Sequence, residues 1–332
     1  IPIPKDWQNF LKNRENKINL FALLSESLPQ SERDILLVTT KGSEVLTNMD
    51  ADVKAITPCN HSEADSRIIL HLAHGVAQGH QKAYIRTVDS DIVVIAVSVF
   101  LQLNLVELWV GQGTGRNYKN LPIHEISSQM GPVKSSTLPL FHAFSGCDST
   151  SQMFGIGKKT AWVAWECYPE ITDTFLLLMD NPSLLTIESV HMQQLERFTV
   201  LMYSKGCGIT RVNDARMHLF THGLRSLDDI PPTQAALYQH IKRALLQAAF
   251  IWQQSCCRLQ DLPNPSEWGW VEDDKKQWKP FWTTLANASE ACAVLLNCGC
   301  LKACVGNCKC AKAGLKCTTL CKCEGGCINN DT

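Results

Sequence analysis

Cysteine is distributed very unevenly in this chain of 332 residues, and that imbalance restricts how its C-terminal end can fold. Nine of the 16 cysteines lie between Cys298 and Cys327, and only seven are spread over the 297 positions before them. A segment with so few apolar residues cannot fold around a hydrophobic core, so metal ions or disulfides must organise it. The concentration of cysteines indicates a metal module attached to an intracellular domain, not an extracellular disulfide framework.

The nine cysteines form two similar half-motifs that are joined by residues 311–316. Two separate tetrahedral zinc sites would use eight thiolates, whereas three zinc ions that share bridging sulfurs use nine. We therefore expect about three zinc ions in residues 298–327, with disulfides or a redox buffer as the alternative. The predicted zinc ligands are Cys298, Cys300, Cys304, Cys308, Cys310, Cys317, Cys321, Cys323 and Cys327.

This cysteine spacing resembles the tesmin-type CXC domain, a DNA-binding module of nuclear proteins. The resemblance implies a nuclear protein whose tail contacts DNA or chromatin proteins. In tesmin-type modules a tyrosine just before the fourth cysteine of the half-motif enters the minor groove of DNA. Asn307 occupies that position here. Five lysines against Glu324 make the module formally +4, while nine thiolates and three zinc ions contribute about −3, which leaves about +1. We therefore expect the module to contact the DNA backbone or another protein, and not to recognise a base sequence.

The composition of the whole chain favours one large folded domain with a smaller module attached. The chain is 45% hydrophobic and 19% charged, which is enough apolar content for a sizeable core and argues against disorder. The net charge of −1 lacks the basic excess typical of nucleic-acid-binding proteins, so any DNA contact must come from local patches. Because the sequence begins at Ile1 without a Met, we expect a fragment of a longer protein.

One apolar run, from Ile92 to Val110, approaches the length of a membrane span. Gln102, Asn104 and Glu107 interrupt the run, and acidic residues lie just before it. The run therefore predicts a buried helix followed by a strand, and no membrane partner is expected.

The sequence between about Asp34 and Pro139 alternates β-branched apolar runs with helical patterns. A helix is predicted after Asn60, where capping residues lead into apolar positions at helical spacing. Strand, helix and strand in short succession favour an α/β fold with a mainly parallel central sheet flanked by helices. The predicted strands are residues 35–40, 83–87 and 105–110.

The pattern changes after the third predicted strand. Gly111, Gly113 and Gly115 predict a hairpin turn, with a phosphate loop as the alternative. From about residue 140 to 254 the sequence has helical periodicity, and after Pro263 it becomes rich in Trp and Pro. The predicted domains are an α/β core (residues 1–165), a helical extension (166–262), a connector rich in Trp and Pro (263–297) and the zinc module (298–327).

Acidic residues fall in short motifs at the ends of the predicted elements. Alternate residues at a strand end point the same way, so Asp89 and Asp91 can aim together beyond the edge of the sheet where α/β folds bind ligands. Glu63 and Asp65 lie in the first turn of a helix, where the helix dipole favours their charge. Converging carboxylates repel one another unless hard cations occupy the site, so about two Mg or Mn ions are expected. Ordinary helix-start and turn residues are the alternative.

Five short segments follow one another in a fixed order between residues 61 and 165. They are Glu63-Ala-Asp65, Asp89-Ser-Asp91, Leu121-Pro-Ile-His-Glu125, Gly146-Cys-Asp148 and Phe154-Gly-Ile-Gly-Lys-Lys-Thr-Ala161. Their order resembles the XPG and flap-endonuclease family of the PIN superfamily. The resemblance implies a Mg- or Mn-dependent phosphodiesterase that cuts duplex or branched DNA. The catalytic metal ligands that it implies are Glu63, Asp65, Asp89, Asp91 and Asp148.

The glycine turn after Asp148 is predicted to contact DNA. Its backbone amides and the start of the next helix can face a phosphate, while two lysines add positive charge. In flap endonucleases the equivalent turn grips the backbone of duplex DNA, so the resemblance implies the same use here, with a tight packing turn as the alternative. The predicted DNA-binding residues are Gly155, Ile156, Gly157, Lys158 and Lys159.

The family also carries aspartates on strands before the acidic helix and basic residues in an arch over the site, and residues 1–60 contain no convincing counterpart. Either these parts precede Ile1, or the protein is a catalytically inactive DNA or chromatin adaptor that keeps the nuclease fold. An RNA nuclease of the wider PIN group is a third hypothesis, which the turn at residues 155–159 argues against. A nuclease joined to a CXC-like tail also resembles the product of a mobile element.

Overall fold

The computed structural model of the chain describes residues 4–31, 33–222, 229–285, 298–301, 304, 308–312, 316–327 and 329. The chain divides into two compact units, Ile1–Trp282 and Thr283–Thr332. About half of it is helical, with small sheets, so the α/β class is confirmed.

The N-terminal segment forms two helices and a β-hairpin. Asp6 and Asn13 cap the two helices through their side chains, and neither helix has a buried residue. The strand predicted at residues 35–40 is shorter than expected and pairs antiparallel within the hairpin, so it does not belong to the central sheet. The elements are α1 (Trp7–Lys12), α2 (Arg14–Ser27), β1 (Val38–Lys41) and β2 (Glu44–Thr47).

The central sheet has three strands and a mixed topology. Its elements are α3 (Ala64–Ala77), β3 (Lys82–Thr87), α4 (Ser90–Phe100), β4 (Glu107–Gln112), β5 (Lys119–Pro122) and α5 (Ile123–Met130). β3 pairs parallel with β4, and β4 pairs antiparallel with β5. The expected helix after Asn60 and the expected strands at β3 and β4 are confirmed, but a mainly parallel sheet is not.

The apolar run from Ile92 to Val110 forms α4 and most of β4, as predicted. Among the described residues, no helix is long and apolar enough to cross a membrane. Gly113 and Gly115 lie in the β4–β5 hairpin connection, which confirms the predicted turn, whereas Gly111 lies within β4 and pairs with Asn120. Gly113 has φ +86° there, and a side chain on it would collide with the Asn117 carbonyl at 2.6 Å, so only glycine fits.

Helices follow from residue 132 to residue 252, as their periodicity predicted. They are α6 (Pro132–Phe144), α7 (Lys158–Cys167), α8 (Ile171–Asp180), α9 (Val190–Tyr203), α10 (Val212–His222) and α11 (Gln234–Leu245). α11 continues directly into a π-helix, Leu246–Trp252. One hydrophobic cluster runs from the sheet through these helices, and its fully buried aromatic residues are Phe144, Trp165, Phe175, Phe198 and Trp252.

Residues after the π-helix form an irregular connector with a small hairpin, β6 (Trp270–Glu272) and β7 (Trp278–Pro280). Arg243 of α11 holds this connector, because its guanidinium donates to the carbonyls of Gly269 and Phe281 at 3.1 and 2.9 Å. Residues 286–297 of the predicted connector lie outside the described residues. In the second unit, α12 (Lys309–Lys312) accompanies the cysteine cluster.

Replacing Phe175 with Ala should destabilise the protein by about 3–5 kcal/mol, because a large aromatic side chain would leave a cavity in the core. Phe175 is fully buried, and its ring contacts the rings of Phe144, Trp165 and Phe198. Urea unfolding followed by tryptophan fluorescence measures the change. Leu177→Ala is the matched control on the same helix, since Leu177 is 47% exposed and its loss should cost about 0.5 kcal/mol or less. Equal losses would contradict this packing.

Candidate metal centres

Three aspartates form a compact triad at the point where β3 leads into α4. Asp65, Asp89 and Asp91 each offer a carboxylate oxygen, and these oxygens all lie within 4.8 Å of one another. The extended backbone continues only to Asp89, which caps α4 and accepts the Asp91 N–H at 2.9 Å. Asp91 therefore belongs to the first helical turn, and the cap, not strand alternation, brings the two side chains together.

Glu63 and Asp65 reach the site from the start of α3, as the sequence predicted. Glu63 is the N-cap residue of α3 and Asp65 lies in its first turn. The Glu63 carboxylate accepts a hydrogen bond from the side-chain amide of Gln247 at 2.9 Å. Gln247 belongs to the π-helix, so a residue 184 positions away fixes the orientation of Glu63.

The fifth predicted carboxylate, Asp148, lies in the exposed turn that follows α6. The pKa of Asp65 is raised to about 6, first by burial and then by the charges of Asp89, Asp91, Glu63 and Asp148 in that order. All four other acids therefore lie close enough to act on Asp65. Of the five acids that the sequence singled out, the structure groups Asp65, Asp89 and Asp91, while Glu63 and Asp148 act on Asp65 through their charge.

The turn that carries Asp148 is fixed to the end of α6 by side-chain hydrogen bonds. Thr150 Oγ1 donates to the Ala143 carbonyl at 2.8 Å and accepts the Cys147 N–H at 3.0 Å. His240 Nε2 contacts the Phe144 carbonyl at 2.7 Å, and its Nδ1 contacts Ser151 Oγ at 2.6 Å. These bonds satisfy carbonyls that the helix end leaves free.

Burial also raises the pKa of Glu63, and the neighbouring charges of Asp91 and Asp89 act in the same direction. The hydrogen bond from Gln247 opposes this rise, because it stabilises the charged carboxylate. Among the described residues, no lysine or arginine forms an ion pair with any of the five acids. The site therefore concentrates negative charge that a cation could balance.

His142 contacts the triad and was not identified from the sequence. Its Nε2 lies 2.9 Å from Oδ1 of Asp91, and each of the two residues is only 8% exposed. The Trp252 ring lies beside the imidazole, with 6.0 Å between the ring centroids. An ionisable side chain between the apolar residues Phe141 and Ala143 of α6 is the signal that could have pointed to it.

The predicted DNA-binding turn is only partly exposed. Gly155 has φ +70°, Gly157 is the N-cap residue of α7, and the side chain of Ile156 is buried in the core. Lys158 turns inward, where its ammonium donates to Ser145 Oγ at 3.0 Å and to the His142 carbonyl. Burial lowers the pKa of Lys158 to about 8, so of the two lysines only the exposed Lys159 presents its charge to solvent.

The described cysteines of the tail are gathered into one cluster, and eight of them are buried. Cys298 is common to three groups of four sulfurs, each with all its sulfurs within 4.8 Å. Cys304 and Cys317 each belong to two of these groups. The groups are Cys298, Cys300, Cys304 and Cys308; Cys298, Cys304, Cys317 and Cys323; and Cys298, Cys310, Cys317 and Cys321.

This sharing means that eight cysteines offer enough sulfur positions for three four-coordinate ions. Cys327 is buried in the same cluster but belongs to none of the three groups. The cluster could therefore hold zinc. Asn307, where tesmin-type modules carry tyrosine, lies outside the described residues.

Comparison with protein-family models, with curated proteins and with solved structures found no match to this chain.

Replacing Asp65 with Asn should stabilise the metal-free protein at pH 7 to 8. The folded-state pKa of Asp65 is about 6 against an ordinary value of 3.8, so protonation of Asp65 stabilises the folded state. This stabilisation is complete below pH 3.8 and is lost as the pH rises through 6. Asp65 is half exposed, so we expect a gain of about 1 kcal/mol. Thermal unfolding in EDTA at pH 4 and at pH 7.5 measures it, and the gain should be confined to the higher pH.

Asp173→Asn is the matched control, because Asp173 also lies in the first turn of a helix but is exposed. Loss of its interaction with the helix dipole should cost about 0.3–1 kcal/mol. A gain from both substitutions, or from neither, would contradict the repulsion between Asp65 and its four neighbours.

Proposed function

We propose that this protein is a divalent-metal-dependent phosphodiesterase that cuts duplex or branched DNA. The triad of Asp65, Asp89 and Asp91 supports this proposal above all, because the charges of Glu63 and Asp148 add to its repulsion and no lysine or arginine among the described residues forms an ion pair with these acids. A folded protein that keeps such repulsion next to its core gains from it only when cations bind. The order of the motifs supports the nuclease class.

Asp65, Asp89 and Asp91 would hold a divalent cation, and Glu63 and Asp148 are proposed as further ligands. Oxygen donors of this kind suit Mg²⁺ and Mn²⁺. When bound, such ions supply Lewis-acid chemistry to a phosphodiester and to the attacking water. Two ions about 4 Å apart are the arrangement common in nucleases.

The protein's own contribution is to orient these carboxylates. Gln247 donates to one oxygen of Glu63 and leaves the other oxygen available. His142 donates from Nε2 to one oxygen of Asp91 in the same way. The Lys158 ammonium donates a hydrogen bond to the His142 carbonyl, and the His142 imidazole in turn donates to Asp91. The orientation of the Asp91 carboxylate therefore depends on both hydrogen bonds.

Substrate binding is proposed for the glycine turn beside the acids. Gly155 and Gly157 bear no side chain that would keep a phosphate from the backbone amides at the start of α7. Lys159 adds exposed positive charge, whereas Lys158 is committed to the interior. This contact would hold the DNA backbone without reading bases.

The tail is proposed to bind about three zinc ions and to tether the nuclease to DNA or to chromatin proteins in the nucleus. The shared sulfurs of Cys298, Cys304 and Cys317 support bridging thiolates. Its small net charge supports a tether of modest DNA affinity.

Replacing both Asp89 and Asp91 with Asn should abolish DNA cleavage. The change removes two of the three charges of the triad while keeping the shape of the side chains. The full chain is incubated with flap, hairpin and linear duplex substrates in Mg²⁺ or Mn²⁺, and cleavage by wild type should exceed that by the variant at least about a hundredfold. Calorimetric titration with Mn²⁺ should show a parallel loss of binding.

Asp173→Asn serves again as the control, since it removes an exposed acid remote in sequence from the triad. It should cleave DNA and bind Mn²⁺ like wild type. Equal residual cleavage by wild type and the double variant would contradict the catalytic proposal, and would leave an inactive adaptor as the remaining interpretation.

The zinc cluster should respond very differently to two cysteine substitutions. Cys298 belongs to all three candidate groups and Cys300 to only one. We expect wild type to carry about three zinc ions, Cys300→Ser about two, and Cys298→Ser close to none, because loss of the shared sulfur opens every site. Atomic emission measures zinc per chain. Equal loss in both variants, or at most one zinc in wild type, would contradict the cluster.

A further inference from the structure

The indole N–H of Trp252 is a buried hydrogen-bond donor without an acceptor. Trp252 is the last residue of the π-helix, and only 1% of its surface is exposed. Its Nε1 has no hydrogen-bond partner among the described residues. An unpaired buried donor costs a folded protein free energy, so such a group in a native structure calls for an explanation, and a bound ion is one of the known explanations.

Two other tryptophans show how an indole N–H is ordinarily satisfied in this protein. Trp165 is as deeply buried as Trp252, and its Nε1 donates to Thr172 Oγ1 at 2.8 Å. Trp109 Nε1 donates to the Glu107 carboxylate at 3.3 Å. Trp165 and Trp252 belong to the same hydrophobic cluster, so burial alone does not account for the missing acceptor.

Two contacts place Trp252 beside the acidic site. Its ring lies next to the imidazole of His142, which contacts Asp91 at 2.9 Å. Gln247, on the same π-helix, donates to the Glu63 carboxylate at 2.9 Å. Burial raises the pKa of Glu63, and the Gln247 amide and the Trp252 indole both oppose that rise. The indole N–H therefore faces the Glu63 carboxylate, although the two do not complete a hydrogen bond.

Neutral donors are well suited to support a carboxylate that binds a cation. A charged carboxylate has about four acceptor positions, and on Glu63 the Gln247 amide occupies one of them. A lysine or arginine in the same place would repel the cation, whereas an amide or indole N–H orients the carboxylate and adds no charge. Trp252 offers Glu63 a second donor of this neutral kind.

We propose that Trp252 is a positioning residue of the acidic site, and that its indole N–H donates to Glu63 when the site binds a divalent cation. This inference rests on the proposed metal site. A hydrogen bond to a charged carboxylate is about twice as strong as one between neutral groups. The buried donor thereby gains the acceptor that it lacks, and this gain adds to the affinity for the cation.

Replacing Trp252 with Phe removes the N–H and keeps an aromatic ring beside His142. Calorimetric titration of the full chain with Mn²⁺ should show an affinity about tenfold lower than that of wild type, as expected when a group that orients a metal ligand is lost. Trp165→Phe is the matched control, because it also shrinks a buried indole but its N–H bonds to Thr172. It should bind Mn²⁺ like wild type. Equal affinity of wild type and Trp252→Phe, or equal losses in the two variants, would overturn the proposal.

A double-variant cycle tests whether Trp252 acts through Glu63. In a Glu63→Gln background, Trp252→Phe should weaken Mn²⁺ binding by about twofold or less, because the charged acceptor is already gone. A tenfold loss in both backgrounds would mean that Trp252 acts on another group, and would also overturn the proposal.

A spectroscopic signature reports the hydrogen bond directly. The nine tryptophans give nine indole signals in a ¹H–¹⁵N spectrum of the full chain, and the signal missing from Trp252→Phe identifies Trp252. Saturation with Mg²⁺ should move that signal downfield and slow its exchange with solvent, because its N–H becomes bonded. Glu63→Gln should abolish the shift. A signal that stays unchanged in saturating Mg²⁺ would contradict the proposal.

The outcome for Trp252 is separable from that for the nuclease. A wild-type chain that binds Mn²⁺ and shifts the Trp252 signal in Mg²⁺ but cuts no DNA would overturn the nuclease proposal alone. A wild-type chain that cuts DNA, beside a Trp252→Phe variant of unchanged Mn²⁺ affinity, would overturn the inference about Trp252 alone. Absence of Mn²⁺ binding by wild type would overturn both.

Discussion

Mutual repulsion among carboxylates is the constraint on which the first unit depends. The acids are brought together by two helix starts and one turn, and each of those positions is fixed by packing that lies elsewhere. The helix starts of α3 and α4 reduce the repulsion, because their dipoles favour negative charge. The remaining cost is offset by the hydrophobic cluster that extends from the sheet through the helical half.

α6 is the element that joins these two parts. It packs against α4 and α8, and His142 on its buried face contacts Asp91. Its last carbonyls are bonded by Thr150, Lys158 and His240. The helical half therefore takes part in the acidic site instead of merely covering the sheet.

The sequence predicted those parts of the fold that local periodicity determines. α3, β3, α4 and β4 each show the apolar spacing of their element, and the acids were found because they stand at the ends of these elements. The short β1–β2 hairpin was not predicted, since β-branched residues at positions 35–40 are equally compatible with a central strand.

Side chains that support the acids could not be found in the same way. Gln247 reaches Glu63 from 184 positions away, and His142 reaches Asp91 from 51. Lys158 was expected to contact DNA, and only the tertiary packing of α6 and α7 turns it inward. The cysteine module was more predictable, because metal coordination depends on ligand number and spacing within one short segment.

The π-helix Leu246–Trp252 changes the directions in which the side chains after α11 point. Its backbone bonds span five residues, as in the bond from the Gln253 N–H to the Ala248 carbonyl, so each hydrogen-bonded ring encloses one residue more than in an α-helix. That additional residue lets Gln247 face Glu63 while Trp252, at the other end, lies against His142. Replacing these bonds with α-helical bonds would change the angle between the directions of Gln247 and Trp252, which contact Glu63 and His142.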